Sequence, residues 1–103
     1  MAMNRMETRY AEHLSMLVSA GLIAGYWFES IKVRLANRTW YAPDFLVMLP
    51  AGQLELHEVK GFMEDDAAVK LKVTAEIYRL FPLKLVREVR GIWQLTDVSV
   101  GLT

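Results

Sequence analysis

The sequence predicts an α/β fold, a small mixed sheet flanked by helices, in the order helix, three-stranded antiparallel meander, helix, strand. Three observations predict it. Residues 4–19 and about 66–80 carry apolar side chains at helical spacing and run into Gly21 and Pro82. Between them lie three strand-like runs, separated by turn signals. The second helical stretch then joins the third run to a fourth, a crossover that suits a parallel pair. At 103 residues the chain has the length of one domain, so residues 1–103 are read as a single unit. Its 53% hydrophobic and 23% charged residues are a globular composition. Twelve Lys and Arg balance twelve Asp and Glu, which excludes a bulk polycation but leaves room for a local basic face. The lack of cysteine excludes a disulfide scaffold, a thiol nucleophile, Cys-ligated zinc and iron–sulfur centres. No run reaches the ~20 apolar residues of a membrane span. Residues 1–8 lack an apolar signal core. The expectation is a cytoplasmic chain with no membrane partner.

The first helix contains an anomaly. At about 100° per residue, Met3, Tyr10, Ala11, Leu14 and Val18 fall within roughly 60° of Glu7. Glu7 therefore sits in the apolar stripe, whereas Glu12 points away from it. Tyr26 to Leu35 reads as a strand with Trp27, Ile31, Val33 and Leu35 on one face and Lys32 and Arg34 on the other. Ala36-Asn37 is the expected turn into a second strand, Thr39 to Leu49. Pro43 interrupts that run and predicts an edge position or a bulge.

Pro50-Ala51-Gly52 fits a three-residue hairpin loop with glycine in the left-handed position. Leu49 then faces Gln53, Met48 faces Leu54, Leu46 faces Leu56 and Asp44 faces Glu58. The strand period of two places Asp44, Leu46, Met48, Leu54, Leu56, Glu58 and Lys60 on one face, apolar except at its far end. Gly61 breaks the third strand, and Glu64, Asp65 and Asp66 supply caps for the second helix. Its expected buried stripe is Val69, Val73, Ile77 and Leu80, with Lys72 and Arg79 turned away and Lys70 near the edge. Leu83 to Val89 is the fourth strand. The remainder, apolar at Ile92, Trp93 and Leu95, is a further strand or a partner-contact segment.

Two carboxylates on adjacent strands repel each other and resist burial unless a proton or a cation lies between them. Oxygen-only ligands suit a hard ion, Mg²⁺ or Mn²⁺. Asp44 and Glu58 are the candidate ligands, with the carbonyl of Val59 as a third oxygen. Lys60, on the face of Glu58, is placed to orient an attacking water or to stabilise charge on a phosphate. Glu7 is placed to bind the same ion or a second one about 4 Å away.

Pro43-Asp44, thirteen residues, then Glu58-Val59-Lys60, preceded by a helix with a buried glutamate, resembles the PD-(D/E)XK nuclease superfamily. Thr39-Trp40-Tyr41-Ala42-Pro43-Asp44-Phe45-Leu46, followed by Glu58-Val59-Lys60-Gly61-Phe62-Met63-Glu64-Asp65-Asp66, is similar to the phage junction-resolving endonucleases of the endonuclease I type and to other small phage nucleases. The similarity runs from about Asn4 to Val89. It implies a restriction-endonuclease-like core, an active site of Glu7, Asp44, Glu58 and Lys60, and dependence on a divalent metal. It also implies DNA, branched DNA in particular, as substrate, a homodimer, and the cytoplasm of a bacterial host. The alternatives are a nuclease acting on duplex or flap DNA, a non-cleaving DNA-binding module of the same fold, and a structural subunit that dimerises through its aromatic residues.

Charge is unevenly distributed. Residues 55–66 hold five acids against Lys60, and residues 68–90 hold six bases against Glu76 and Glu88. An acidic pocket beside a basic flank suits a phosphate backbone. Lys70, Lys72 and Arg38 are the candidate phosphate contacts; for the two lysines the plainer reading is a solvated helix face. His57 belongs to the face opposite Glu58 and is expected to pack or to be exposed, and His13 is expected at the surface. Trp27, Trp40, Tyr41 and Trp93 are expected in the core or at a dimer interface.

Overall fold

Asn4 opens the first helix, α1 (Arg5–Ser19), because its side chain takes a donor that the first turn leaves free. The Glu7 N–H donates to Asn4 Oδ1 at 2.8 Å, and the Asn4 N–H donates to Glu7 Oε1 at 2.8 Å, a reciprocal capping box. The computed structural model describes residues 2–61 and 65–98. Tyr10 and Leu14 are buried, whereas Val18 is exposed and Leu17 half-buried, so the buried stripe turns toward Leu17 in the last turn. Gly21, with φ of 75°, carries the chain out of the helix.

The strand expected over 26–35 is two strands in two sheets. β1 (Gly25–Phe28) ends where Glu29 adopts a φ of 47°, and β2 (Val33–Ala36) starts after a short irregular segment. β2 pairs with β3 (Thr39–Tyr41) through a turn at Asn37-Arg38, one residue later than expected, with Arg38 at φ 59° and a bulge between Arg34 and Ala36. The long second strand is likewise divided. Pro43 has no N–H to extend a ladder, and there the chain leaves the two-stranded sheet and enters β4 (Phe45–Met48) of the main one. The proline thus marks a passage between sheets, not a bulge within one.

The main sheet continues through β5 (Leu54–Val59), then α2 (Asp65–Ile77), β6 (Leu83–Val89) and β7 (Ile92–Asp97). Its order is β1-β4-β5-β6-β7, antiparallel throughout except for the parallel β5–β6 pair that α2 connects. The expected meander survives as β1–β4–β5, with β2–β3 as an excursion from it. The apolar tail is the edge strand β7. The caps expected at Glu64 and Asp65 fall outside the described residues and side chains.

Both faces of the sheet are covered, as a parallel pair at its centre requires. On one face α1 brings Tyr10 and Leu14 against Phe45, Val47, Val59 and Val86. On the other, α2 and the β2–β3 hairpin bring Leu71, Ala75, Val33 and Tyr41 against Leu56 and Leu83. Full burial of each Leu, Val or Phe among these is worth ~1.5–3 kcal/mol. The stripe expected for α2 is corrected. Leu71, Thr74, Ala75 and Tyr78 face the sheet, while Val69, Ile77 and Leu80 are exposed. The helix carries two apolar stripes on opposite sides, and periodicity alone does not choose between them. The hairpin does: Tyr78 donates its hydroxyl to the Arg34 carbonyl at 2.6 Å, and the small Thr74 and Ala75 lie on the buried side. Among the described residues, no helix is long and apolar enough to cross a membrane.

Candidate active site

The hairpin loop sets the register that brings the two carboxylates together. Gly52 has a φ of 94°, its N–H donates to the Leu49 carbonyl at 2.9 Å, and Leu49 N–H donates to the Gln53 carbonyl at 2.8 Å. From there Met48 pairs with Leu54, Leu46 with Leu56 and Phe45 with His57. One step further stand Asp44 and Glu58, only 8% and 5% exposed. The Asp44 N–H lies 3.3 Å from Glu58 Oε1, and the Val59 N–H donates to Asp44 Oδ2 at 2.8 Å. Antiparallel ladders alternate, so after Leu49–Gln53, Val47–Glu55 and Phe45–His57 the next hydrogen-bonded pair is Pro43–Val59. A proline cannot donate to the Val59 carbonyl. The β4 ladder therefore offers that carbonyl no donor from Pro43, and independently of this the Val59 N–H is taken by the Asp44 carboxylate.

The Glu58 carboxylate is held from two directions. Tyr41 donates its hydroxyl to Oε1, and Lys60 Nζ lies 3.3 Å from Oε2. Burial and the negative charge of Glu58 push the Asp44 carboxyl up to about 7; Glu7 adds to the rise, while the Val59 N–H and Lys60 oppose it. Burial, together with the nearby carboxylates of Glu58 and Asp44, pushes the Tyr41 phenol far up, so it stays a donor. Tyr41 is the residue that sequence reasoning missed. An aromatic residue in an apolar strand reads as core, and nothing in its spacing signals that its hydroxyl meets a carboxylate seventeen positions on.

Glu7 is half-buried in α1 and uses Oε1 to cap Asn4, and its charge is felt at Asp44. Among the described residues, no group of three or more Asp, Glu or His side chains is arranged to hold a metal ion. Arg38 sits exposed at the tip of the β2–β3 hairpin, and Lys70 and Lys72 are exposed on α2. His57 is packed on the α1 face. Its Nδ1 lies 2.7 Å from the Tyr10 hydroxyl and its Nε2 3.0 Å from Glu55 Oε1, and burial lowers its pKa. His13, expected at the surface, is half-buried, stacked on Tyr10 and tilted against Trp93. Trp93 is half-buried against Tyr10, but Trp27 and Trp40 are exposed and outside the core.

The donor set of the pair fits a hard divalent ion. All candidate ligands are oxygens, and two buried carboxylates whose charges repel disfavour double ionisation, which a cation between them relieves. Asp44 takes its hydrogen bond on Oδ2, and among the described residues Oδ1 takes none. Two clefts of about 370 and 410 Å³ open elsewhere, around Phe81 and Pro82, and include neither carboxylate. Comparison of the chain with protein-family models, with curated proteins and with solved structures finds no match.

Proposed function

We propose that the chain is a metal-dependent endonuclease that hydrolyses DNA phosphodiester bonds, on a restriction-endonuclease-like core of the PD-(D/E)XK type. The observation that carries the reading is the meeting of Asp44 and Glu58 at the end of the β4–β5 pair, with Lys60 on Glu58. Asp44, Glu58 and the Val59 carbonyl would hold Mg²⁺ or Mn²⁺, and such an ion when bound lowers the pKa of its water and polarises a phosphoryl oxygen. The remaining roles belong to the chain itself. Lys60 is half-exposed, so its ammonium faces both the carboxylates and solvent, where it stabilises charge developing on a phosphate and hydrogen-bonds an attacking water. Tyr41 fixes the rotamer of Glu58 from behind, and the charge of Glu7 strengthens the local negative field. The resemblance to phage junction-resolving enzymes extends the proposal to branched DNA and to a homodimer acting in a bacterial host.

A second reading is a DNA-binding module that does not cut. The observation in its favour is that Tyr41 and Lys60 already occupy both oxygens of Glu58. Incubation with supercoiled plasmid and with a synthetic four-way junction, with and without Mg²⁺, separates the two. The nuclease reading expects cleavage that stops in EDTA and falls at least a hundred-fold in Asp44→Asn and Lys60→Ala. Cleavage that survives EDTA or both substitutions contradicts it, and binding without cleavage supports the module.

A further inference from the structure

The β2–β3 hairpin has an inner and an outer face. Val33, Leu35 and Tyr41 turn inward onto α2 and the sheet. Arg34 and Trp40 are cross-strand partners, and both are exposed. Lys32, just before β2, and Arg38, at the tip, are exposed as well. Residues 30–43 contain these three cations and no acid, in a chain whose net charge is zero. Among the described residues, none of the three takes part in an ion pair. Trp40 is 52% exposed, a large ring left in water beside a guanidinium. Its strand neighbour Tyr41 points the other way, onto Glu58, so one dipeptide links this outer face to the carboxylate pair. The Tyr78–Arg34 hydrogen bond anchors the hairpin to α2, so its outer face is presented on a fixed support.

We propose that the outer face of this hairpin binds single-stranded DNA, with Lys32, Arg34 and Arg38 on phosphates and Trp40 stacked on an unpaired base. A tryptophan face stacks on a base only when that base lies outside the double-helical stack. The inference rests on the nuclease reading for its location beside the site, and it adds a substrate class: DNA with an unpaired stretch at a branch, flap or free strand. Three cations and one aromatic on a short ribbon match the usual division of labour, in which cations follow the backbone and a ring takes the base.

The test is fluorescence anisotropy with a labelled single strand and its matching duplex, in EDTA so that nothing is cut. The full chain is compared with Trp40→Ala and with Arg34→Glu/Arg38→Glu. All the altered side chains are exposed, and circular dichroism checks that the fold is kept. Wild type binds the single strand more tightly than the duplex. Trp40→Ala weakens single-strand binding about ten-fold and duplex binding by less than about two-fold. The double charge reversal weakens both and flattens the salt dependence. Equal single-strand affinity in wild type and Trp40→Ala, or a preference for duplex, overturns the proposal. A chain that binds in this way but never cuts removes the nuclease reading alone. A chain that cuts through Asp44 while Trp40→Ala binds like wild type removes this inference alone.

Discussion

Asp44 shows how one residue's surroundings become a measurable pH dependence. Its carboxyl titrates near 3.8 in an ordinary setting and is raised to about 7 in the folded chain. Below about pH 4 both states hold the proton. As the pH rises from about 4 to about 7, the unfolded chain releases a proton that the folded chain keeps, so stability falls, by at most ~1.4 kcal/mol per pH unit from this group. Above about 7 the loss levels off. Urea unfolding between about pH 4 and 8 is expected to show this decline in wild type and a flatter profile in Asp44→Asn. Identical profiles would mean that the carboxyl is not held in its protonated form. Tyr41 acts at the same scale. Tyr41→Phe removes a donor from a buried carboxylate and is expected to cost about 1–3 kcal/mol in urea unfolding, with reduced cleavage. Asp44 and Glu58 were legible as a pair because a turn and a period of two fix their register. Tyr41 was not, because its hydroxyl acts across two sheets whose separation no local pattern records.

At the scale of elements, α1, α2 and the β4–β5 hairpin were readable from the sequence, whereas the buried stripe of α2 and the division of the first strands were not. Asn4, Gly21 and Gly52 each impose a local backbone state, and local states are written in local sequence. The break at Glu29 and the choice of stripe on α2 depend instead on how the β2–β3 hairpin folds over the sheet. That contact joins Arg34 to Tyr78, 44 positions apart. The α1 cap also separates two roles of Glu7. Asn4→Ala is expected to cost about 0.5–2 kcal/mol of stability. Glu7→Gln keeps a side chain able to complete the capping box. It is therefore expected to preserve the melting temperature and to lower cleavage by less than ten-fold. A loss as large as that of Asp44→Asn would show that the Glu7 carboxylate leaves its cap to join the reaction.

The molecule as a whole is a five-stranded sheet with an α1 layer on one face and an α2-plus-hairpin layer on the other. Phe45 is the side chain on which the α1 layer converges, in contact with the rings of Tyr10, Tyr26 and Phe28 and fully buried. Phe45→Ala is expected to cost about 3–5 kcal/mol, a large share of the ~5–15 kcal/mol available to a domain. Because Asp44 precedes Phe45 directly, the same change displaces the carboxylate pair, so urea midpoint and cleavage should fall together. Stability lost with full cleavage retained would separate the site from the core that we place beneath it. The net charge of zero averages an acidic sheet end and a basic hairpin that occupy different parts of the folded chain.

The proposed function stands or falls with a cation held between Asp44 and Glu58, which anomalous diffraction from a crystal soaked in Mn²⁺ would reveal. A peak is expected within coordination distance of both carboxylates in the wild-type chain and none there in Asp44→Asn. A wild-type crystal with no peak between them, or with its only peak elsewhere, contradicts it.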